Sequence, residues 1–254
     1  PRLAAQGSNG LVDLNQADPS VPDNIRELLA LGERGLTMAA AAAERGDPLP
    51  EVRLLAPVPD PQKVICIGLN YADHAKESGM EPPPERVVFN KFLTTVAAHE
   101  DEITVPPQSE AVDYEAELVV VIGVGGKNIS ETEALDHVAG YACGNDVSAR
   151  DWQLNKPGKQ WLLGKSFDGF APFGPFLVTR DEVGDPGDLR IALRLNLAGF
   201  PHEPTDLQRA VAGRLPLAGL HPGAGRRDLH RHAAGGGVCP QAARAAQAGR
   251  YLRS

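Results

Sequence analysis

Apolar residues are spaced in two ways along this chain, and the change falls near residue 60. Before it, Ile25-Arg26-Glu27-Leu28-Leu29-Ala30-Leu31 and residues 36–45 repeat apolar positions at helical spacing, and Gly46-Asp47-Pro48 stops the second run. Prolines at 57, 59 and 61 then mark a linker. After it, short apolar runs rich in β-branched residues read as strands: Lys63-Val64-Ile65-Cys66-Ile67-Gly68, Arg86-Val87-Val88-Phe89, and residues 117–122, 176–179 and 189–195. One helix is predicted among them, capped by Ser130, with Glu133 closing a capping box and Gly140 as its C-terminal glycine. The pattern predicts a β-rich α+β fold. It divides into a small α-containing segment at 1–60, a main domain at 61–196 and a tail at 197–254.

The predicted strand 117–122 is preceded by acidic residues in Asp113-Tyr114-Glu115-Ala116-Glu117. On a strand, residues two apart share a face, so Glu115 and Glu117 point the same way. Two like charges facing a core are costly unless a cation compensates them. A hard divalent ion on oxygen ligands would do so, with Asp146 completing a three-carboxylate set. A solvated strand end is the alternative at this point.

Three further segments carry candidate chemistry. In Gly68-Leu69-Asn70-Tyr71-Ala72-Asp73-His74-Ala75-Lys76-Glu77, a helix starting after Asn70 places His74 and Glu77 at i and i+3. A carboxylate beside an imidazole orients it and raises its basicity, as a general base requires; a solvated first turn is the alternative. Arg150 could grip a carboxylate bidentately, and Gln153 could bind a keto or hydroxyl oxygen. Lys165, in Leu163-Gly164-Lys165-Ser166-Phe167-Asp168, could stabilise an enolate or oxyanion. By contrast, Gly123-Val124-Gly125-Gly126-Lys127 lacks the pattern of a phosphate-binding loop, and His99 and His137 have no evident partner residues in the sequence.

Composition narrows the classes further. The 254 residues carry a formal net charge of −8 and no basic cluster before residue 209, which argues against nucleic-acid binding. No apolar stretch approaches the roughly 18 residues of a membrane-spanning helix. The cysteines, Cys66, Cys143 and Cys239, form no CxxC pair, which fits a reducing compartment. The first residue is Pro1 rather than methionine, so a targeting segment is compatible with the chain and both mitochondrial and cytoplasmic locations stay open.

Four segments in order resemble the fumarylacetoacetate hydrolase family, closest to its domain-containing proteins. They are Gly68-Leu69-Asn70-Tyr71-Ala72-Asp73-His74, Asp113-Tyr114-Glu115-Ala116-Glu117-Leu118, Asn145-Asp146-Val147-Ser148-Ala149-Arg150-Asp151-Trp152-Gln153 and Gly164-Lys165-Ser166-Phe167-Asp168. The resemblance runs from about Val12 to Asn196. It implies a mixed β-sandwich roll, a homodimer when the C-terminus is intact, and Mg²⁺ or Mn²⁺, with Ca²⁺ as an alternative, on Glu115, Glu117 and Asp146. It further implies a water-activating His74–Glu77 pair, Lys165 as stabiliser of developing negative charge, and substrate contacts from Arg150 and Gln153. Family substrates are small 2-keto or 1,3-dicarbonyl acids such as acylpyruvates, fumarylacetoacetate and oxaloacetate. The resemblance thus implies an oxaloacetate tautomerase or decarboxylase or an acylpyruvate-type C–C hydrolase, with a truncated, inactive metal-binding product as the alternative.

After about Asn196 the resemblance stops. Residues 209–254 are dominated by Ala, Gly and Arg, where the family would place a Pro-Gly-Asp turn and a closing loop reading Thr-Gly-Thr-Pro-Pro-Gly-Val-Gly. That motif returns when residues 221–237 are read one nucleotide out of frame. The codons of His221-Pro222-Gly223-Ala224-Gly225-Arg226-Arg227-Asp228-Leu229-His230-Arg231-His232-Ala233-Ala234-Gly235-Gly236-Gly237 permit Thr-Leu-Glu-Pro-Gly-Asp-Val-Thr-Ser-Thr-Gly-Thr-Pro-Pro-Gly-Val-Gly. The genetic code fixes every other base, leaving free only third positions and the first positions of the Arg and Leu codons. A frameshift, or an error in the sequence or gene model, is therefore expected between Leu197 and Gly219, with His230, His232 and Cys239 devoid of any chemical role; a natural low-complexity tail is the alternative. The last ~45 residues are then non-native and disordered, and unable to supply the closing strands of the core.

Overall fold

The computed structural model describes residues 1–68, 87–189 and 191–193, together with the backbone at 209–211 and 233–234. The first surprise is a hairpin. Strands β1 (Ala4–Gly7) and β2 (Gly10–Asp13) pair antiparallel ahead of the predicted helices. Its signal was Asn9-Gly10, a turn dipeptide with Gly10 at φ 141°. Asp13 then caps α1 (Leu14–Ala17), accepting from the Asn15 and Gln16 amides. The two predicted helices follow as α2 (Ile25–Ala30) and α3 (Glu33–Arg45).

The rest of the described chain is strand-rich, as its pattern predicts. Strand β3 (Val64–Gly68) pairs antiparallel with β4 (Val87–Lys91), and β5 (Val96–Ala97) precedes β6 (Val112–Asp113). Strand β7 (Ala116–Ile122) pairs antiparallel with β8 (Val138–Asn145) over its whole length. Then come β9 (Ser148–Ala149), β10 (Ala171–Pro172), β11 (Val178–Thr179) and β12 (Ile191–Leu193). Two backbone fragments lie in the tail. β13 (Arg209–Val211) pairs with β12, and β14 (Ala233–Ala234) lies beside Val119 and Val120 of β7. The central sheet has the order β11-β8-β7-β14.

Strand β7 explains its own continuous apolar run. Val119 and Val121 face a core shared with Leu29 of α2 and with Val58, while Leu118, Val120 and Ile122 face a second core with Val138 and Tyr141. A strand covered on both faces has no polar side to alternate with. The N-terminal helices thus pack directly on the central sheet, through Ile25, Leu29 and Leu36.

The predicted helix after Ser130 is the main correction. Its capping contacts do form: the Ser130 hydroxyl donates to Glu133 Oε2 at 2.6 Å. They close only a 3-10 turn, Ala134–His137, after which the chain becomes β8. Helix nucleation is costly, and a ladder against the buried β7 satisfies the backbone of Val138 onward better than a short isolated helix would. Gly140 serves close strand packing instead of a helix end, since a Cβ there would lie 2.2 Å from the Val178 carbonyl oxygen. The run predicted at 176–179 shrinks to Val178–Thr179; of the run predicted at 189–195, Ile191–Leu193 is strand and residues 190, 194 and 195 lie outside the described residues. Thr179 ends the first by bonding Glu182 and opening the short helix Arg180–Val183.

Candidate active site

The β7–β8 register brings the distant acidic residues together. Ala116 pairs with Asn145, and just beyond that pair the Asp146 amide donates to the Glu115 carbonyl at 2.9 Å. Asn145 Oδ1 accepts from the Glu115 amide at 3.0 Å, which ties the same junction from the other side. Glu115, Glu117 and Asp146 are all buried. A second register builds the next layer: β6 pairs with β9, Asp113 opposite Ser148, and the Arg150 amide donates to Ala111.

Buried cations lie among these carboxylates. Lys165 is fully buried, and its ammonium donates to Glu115 Oε2 at 2.9 Å, Asp146 Oδ2 at 2.8 Å and the Ser148 hydroxyl at 2.7 Å. It also lies 5.2 Å from the centre of the Phe89 ring, which stands edge-on to Trp161. Arg150 Nε and Nη2 donate to Asp113 at 2.9 and 2.7 Å, and its Nη1 donates to Glu115 and to Gln153 Oε1. Lys91 donates to Asp146 and to the Val147 carbonyl.

Gln153 sits on a π-helical turn, Asp151–Asn155, a distortion often found at functional sites. Gly164 lies so close beneath it that a Cβ would come within 2.6 Å of the Gln153 amide. The Gln153 amide nitrogen Nε2 is buried without a hydrogen-bond partner among the described residues. Such an atom is costly to leave unmade and suits a ligand oxygen.

The electrostatics follow from burial and proximity. Burial alone would raise the Asp146 carboxyl, but the Lys91 and Lys165 ammoniums outweigh it and hold the pKa below the usual aspartate value. Glu115 goes the other way: burial raises it more than Lys165 and Arg150 lower it. Burial would lower Lys165, yet Asp146 and Glu115 raise it above an ordinary lysine, so it stays cationic and cannot serve as a base near neutrality. Lys91 is lowered, by burial first and only partly restored by Asp146.

Lys91, Glu117 and Asp146 line a cavity whose other walls are mainly apolar, including Val58, Val64, Val119 and Phe173. Cys66 also lines it. Burial, with Asp146 adding to it, pushes the Cys66 thiol far up, whereas Cys143 is exposed. Thiolates are the reactive form. Iodoacetamide at pH 8 is therefore expected to label Cys143 in the native protein and Cys66 only after unfolding, as read by peptide mass spectrometry; native labelling of Cys66 would contradict the buried placement.

Of the residues singled out from sequence, the structure brings Glu115, Asp146, Lys165, Arg150 and Gln153 into one connected cluster, with Glu117 on the cavity wall beside Asp146. His74 and Glu77 lie outside the described residues. Sequence reasoning missed Lys91, because it ended the strand at Phe89. Extending the inward alternation Val87, Phe89 by two positions reaches Lys91, the buried residue of that face. It also left Asp113 and Ser148 unassigned although both stand inside the quoted segments.

Four buried carboxylates (Asp113, Glu115, Glu117, Asp146) accompany three buried cations (Lys91, Arg150, Lys165). The donor chemistry, all oxygen and one negative charge in excess, fits a hard divalent cation. In the present arrangement, ammonium groups stand between the carboxylates, and no three acidic, histidine or cysteine side chains among the described residues converge as a metal cluster.

A buried set of alternating charges at the ends of paired strands, opening on a largely apolar cavity, defines a small-molecule site on a mixed sheet-and-helix fold. The family profile described as "Fumarylacetoacetate (FAA) hydrolase C-terminal" matches residues 63–207, and the chain belongs to that family. "Oxaloacetate tautomerase fahd2, mitochondrial" of Xenopus laevis is 48% identical over 197 residues, covering 76% of this chain and 62% of that protein. "Oxaloacetate tautomerase FAHD2A, mitochondrial" of Homo sapiens is 48% identical over 201 residues, covering 77% and 64%. The chain thus spans a little under two thirds of the length of these two relatives. Among solved structures, the fumarylacetoacetate hydrolase of psychrophilic Exiguobacterium antarcticum superposes with a TM-score of 0.62 at 36% identity, over 74% of this chain and 66% of that one.

Proposed function

We propose that this chain carries the site of a metal-dependent enzyme acting on small 2-keto or 1,3-dicarbonyl acids, with keto–enol tautomerisation of oxaloacetate as the favoured reaction. The observation that carries the proposal is Lys165, an ammonium held between Glu115 and Asp146, the second of which lines the cavity. In tautomerisation a proton passes between carbon and oxygen, and the charge developing on the enolate oxygen needs a fixed cation nearby. Lys165 supplies one. Lys91 supplies a second positive charge on the cavity wall itself, suited to a substrate carboxylate. The unpartnered Gln153 Nε2 is offered to a substrate oxygen.

Glu115, Glu117 and Asp146 would hold Mg²⁺ or Mn²⁺. When bound, such an ion polarises the keto oxygen and lowers the cost of enolate charge. The proton carrier implied by the resemblance, His74 with Glu77, lies outside the described residues. Hydrolytic cleavage of an acylpyruvate is the competing reaction of the same site, since it develops the same enolate. The names of the human and frog relatives support tautomerisation.

A second reading, an inactive product that at most binds metal, rests on the composition after Asn196. The family match stops at 207, inside the window in which the reading frame is inferred to break. Spectrophotometric turnover of enol-oxaloacetate and of an acylpyruvate by the frame-restored chain, with Mg²⁺ and after chelation, tests the proposal. Mg²⁺-dependent conversion of oxaloacetate supports it, and turnover of neither substrate by a folded, metal-loaded protein favours the second reading.

A further inference from the structure

Six buried side chains stand in one file of alternating sign: Asp113, Arg150, Glu115, Lys165, Asp146 and Lys91. Lys91 and Asp146, at one end, line the cavity; Glu115 and Lys165 stand one step behind them, and Asp113 and Arg150 close the far end. Yet Asp113 is fully committed. Its Oδ1 accepts from the Tyr114 amide at 2.9 Å, and its Oδ2 accepts both Nε and Nη2 of Arg150. Two donors on one oxygen fix the plane of the guanidinium. That plane aims Nη1 at Glu115 and at Gln153 Oε1, so both Nη1 hydrogens are spent inside the protein. Nε has a single hydrogen, and Asp113 takes it together with one from Nη2, so four of the five guanidinium hydrogens are held by Asp113, Glu115 and Gln153.

We infer that Asp113 is a positioning residue, acting through Arg150 to hold Glu115 and Gln153, and that Arg150 itself does not grip the substrate carboxylate. The inference rests on the functional reading given above. The backbone supports the same assignment. Pairing of Asp113 with Ser148, together with the Arg150 amide on Ala111, sets the two side chains against each other before any ligand arrives. Ser148 in turn receives the Lys165 ammonium, so one register aligns both cations that touch Glu115.

The test is a double-mutant cycle in the frame-restored full-length protein, with Asp113→Asn, Arg150→Gln and the pair together. Residues that act as one unit give non-additive losses. Each single variant is expected to lower kcat by about 10- to 100-fold with little change in KM, and the double variant to be no worse than the poorer single. A rise in KM confined to Arg150→Gln, or multiplied losses in the double variant, would overturn the inference. Glu115→Gln is measured alongside. If it retains full turnover, the functional reading itself fails; if it is inactive while Asp113→Asn keeps its kcat, this inference alone fails. Because charge removal in a buried pair can prevent folding, a second readout uses the unmodified protein. The Arg150 Nε–H resonance is expected to resist hydrogen exchange, and exchange as fast as that of an exposed arginine would also overturn the assignment.

Discussion

Replacing Lys165 by methionine in the frame-restored chain is expected to reduce turnover by about 10²–10³-fold, the usual cost of removing one fixed donor from a developing oxyanion. The same change removes the ammonium from Glu115, Asp146 and Ser148 at once. Leaving buried carboxylates without their cation costs about 3–5 kcal/mol, so the variant is also expected to unfold at lower temperature. The pH dependence separates the two effects. Lys165 has its folded pKa raised above the ordinary value of 10.5, so its pairing stabilises the fold fully below that pH and is lost only as alkali passes the folded pKa. Asp146 has its pKa lowered, so its share is present above the ordinary value of 3.8 and is lost as acid passes the folded pKa. Calorimetry against pH should show the alkaline loss vanish in Lys165→Met. A variant with native turnover would remove Lys165 from the chemistry.

The second large effect concerns the tail. Restoring the reading frame after Asn196 is expected to give Mg²⁺-dependent turnover that the chain as written lacks. The physical ground is the outer flank of β7 in the central sheet. Among the described residues β14 reaches only Val119 and Val120 of the seven-residue β7. Ala-, Gly- and Arg-rich sequence offers few side chains to cover such a strand. Resequencing the coding region between Leu197 and Gly219 would reveal the missing or extra base. An intact frame, with equal turnover in both versions, would mean that residues 197–254 close the site in their own way.

How far the chain could be read beforehand depends on what fixed each element. Strand β7 was legible because burial on both faces makes its sequence continuously apolar. Helix α3 was legible because its apolar spacing and its stop at Gly46 agree. Strand β8 was misread where Ser130 and Glu133 gave a genuine helix-start signal that the pairing of Val138–Asn145 with β7 overrode. The carboxylates were found because two acids at the start of a buried strand need a cation. Sequence suggested a metal for that role, and the structure places Lys165 between Glu115 and Asp146. The partners of Arg150 were not legible, because they depend on the β6–β9 register, which no local pattern of two-residue strands reveals. Lys91 was one alternation step beyond the point at which its strand was ended.

The most direct test of the central claim is the rate of enol-oxaloacetate conversion by the frame-restored chain and its Glu115→Gln variant, each titrated with Mg²⁺ under matched folding by circular dichroism. The account predicts a rate that rises with Mg²⁺ in the first protein and stays near the uncatalysed rate in the second. Equal rates in the two folded proteins, or a rate indifferent to Mg²⁺ and to chelation, would contradict it.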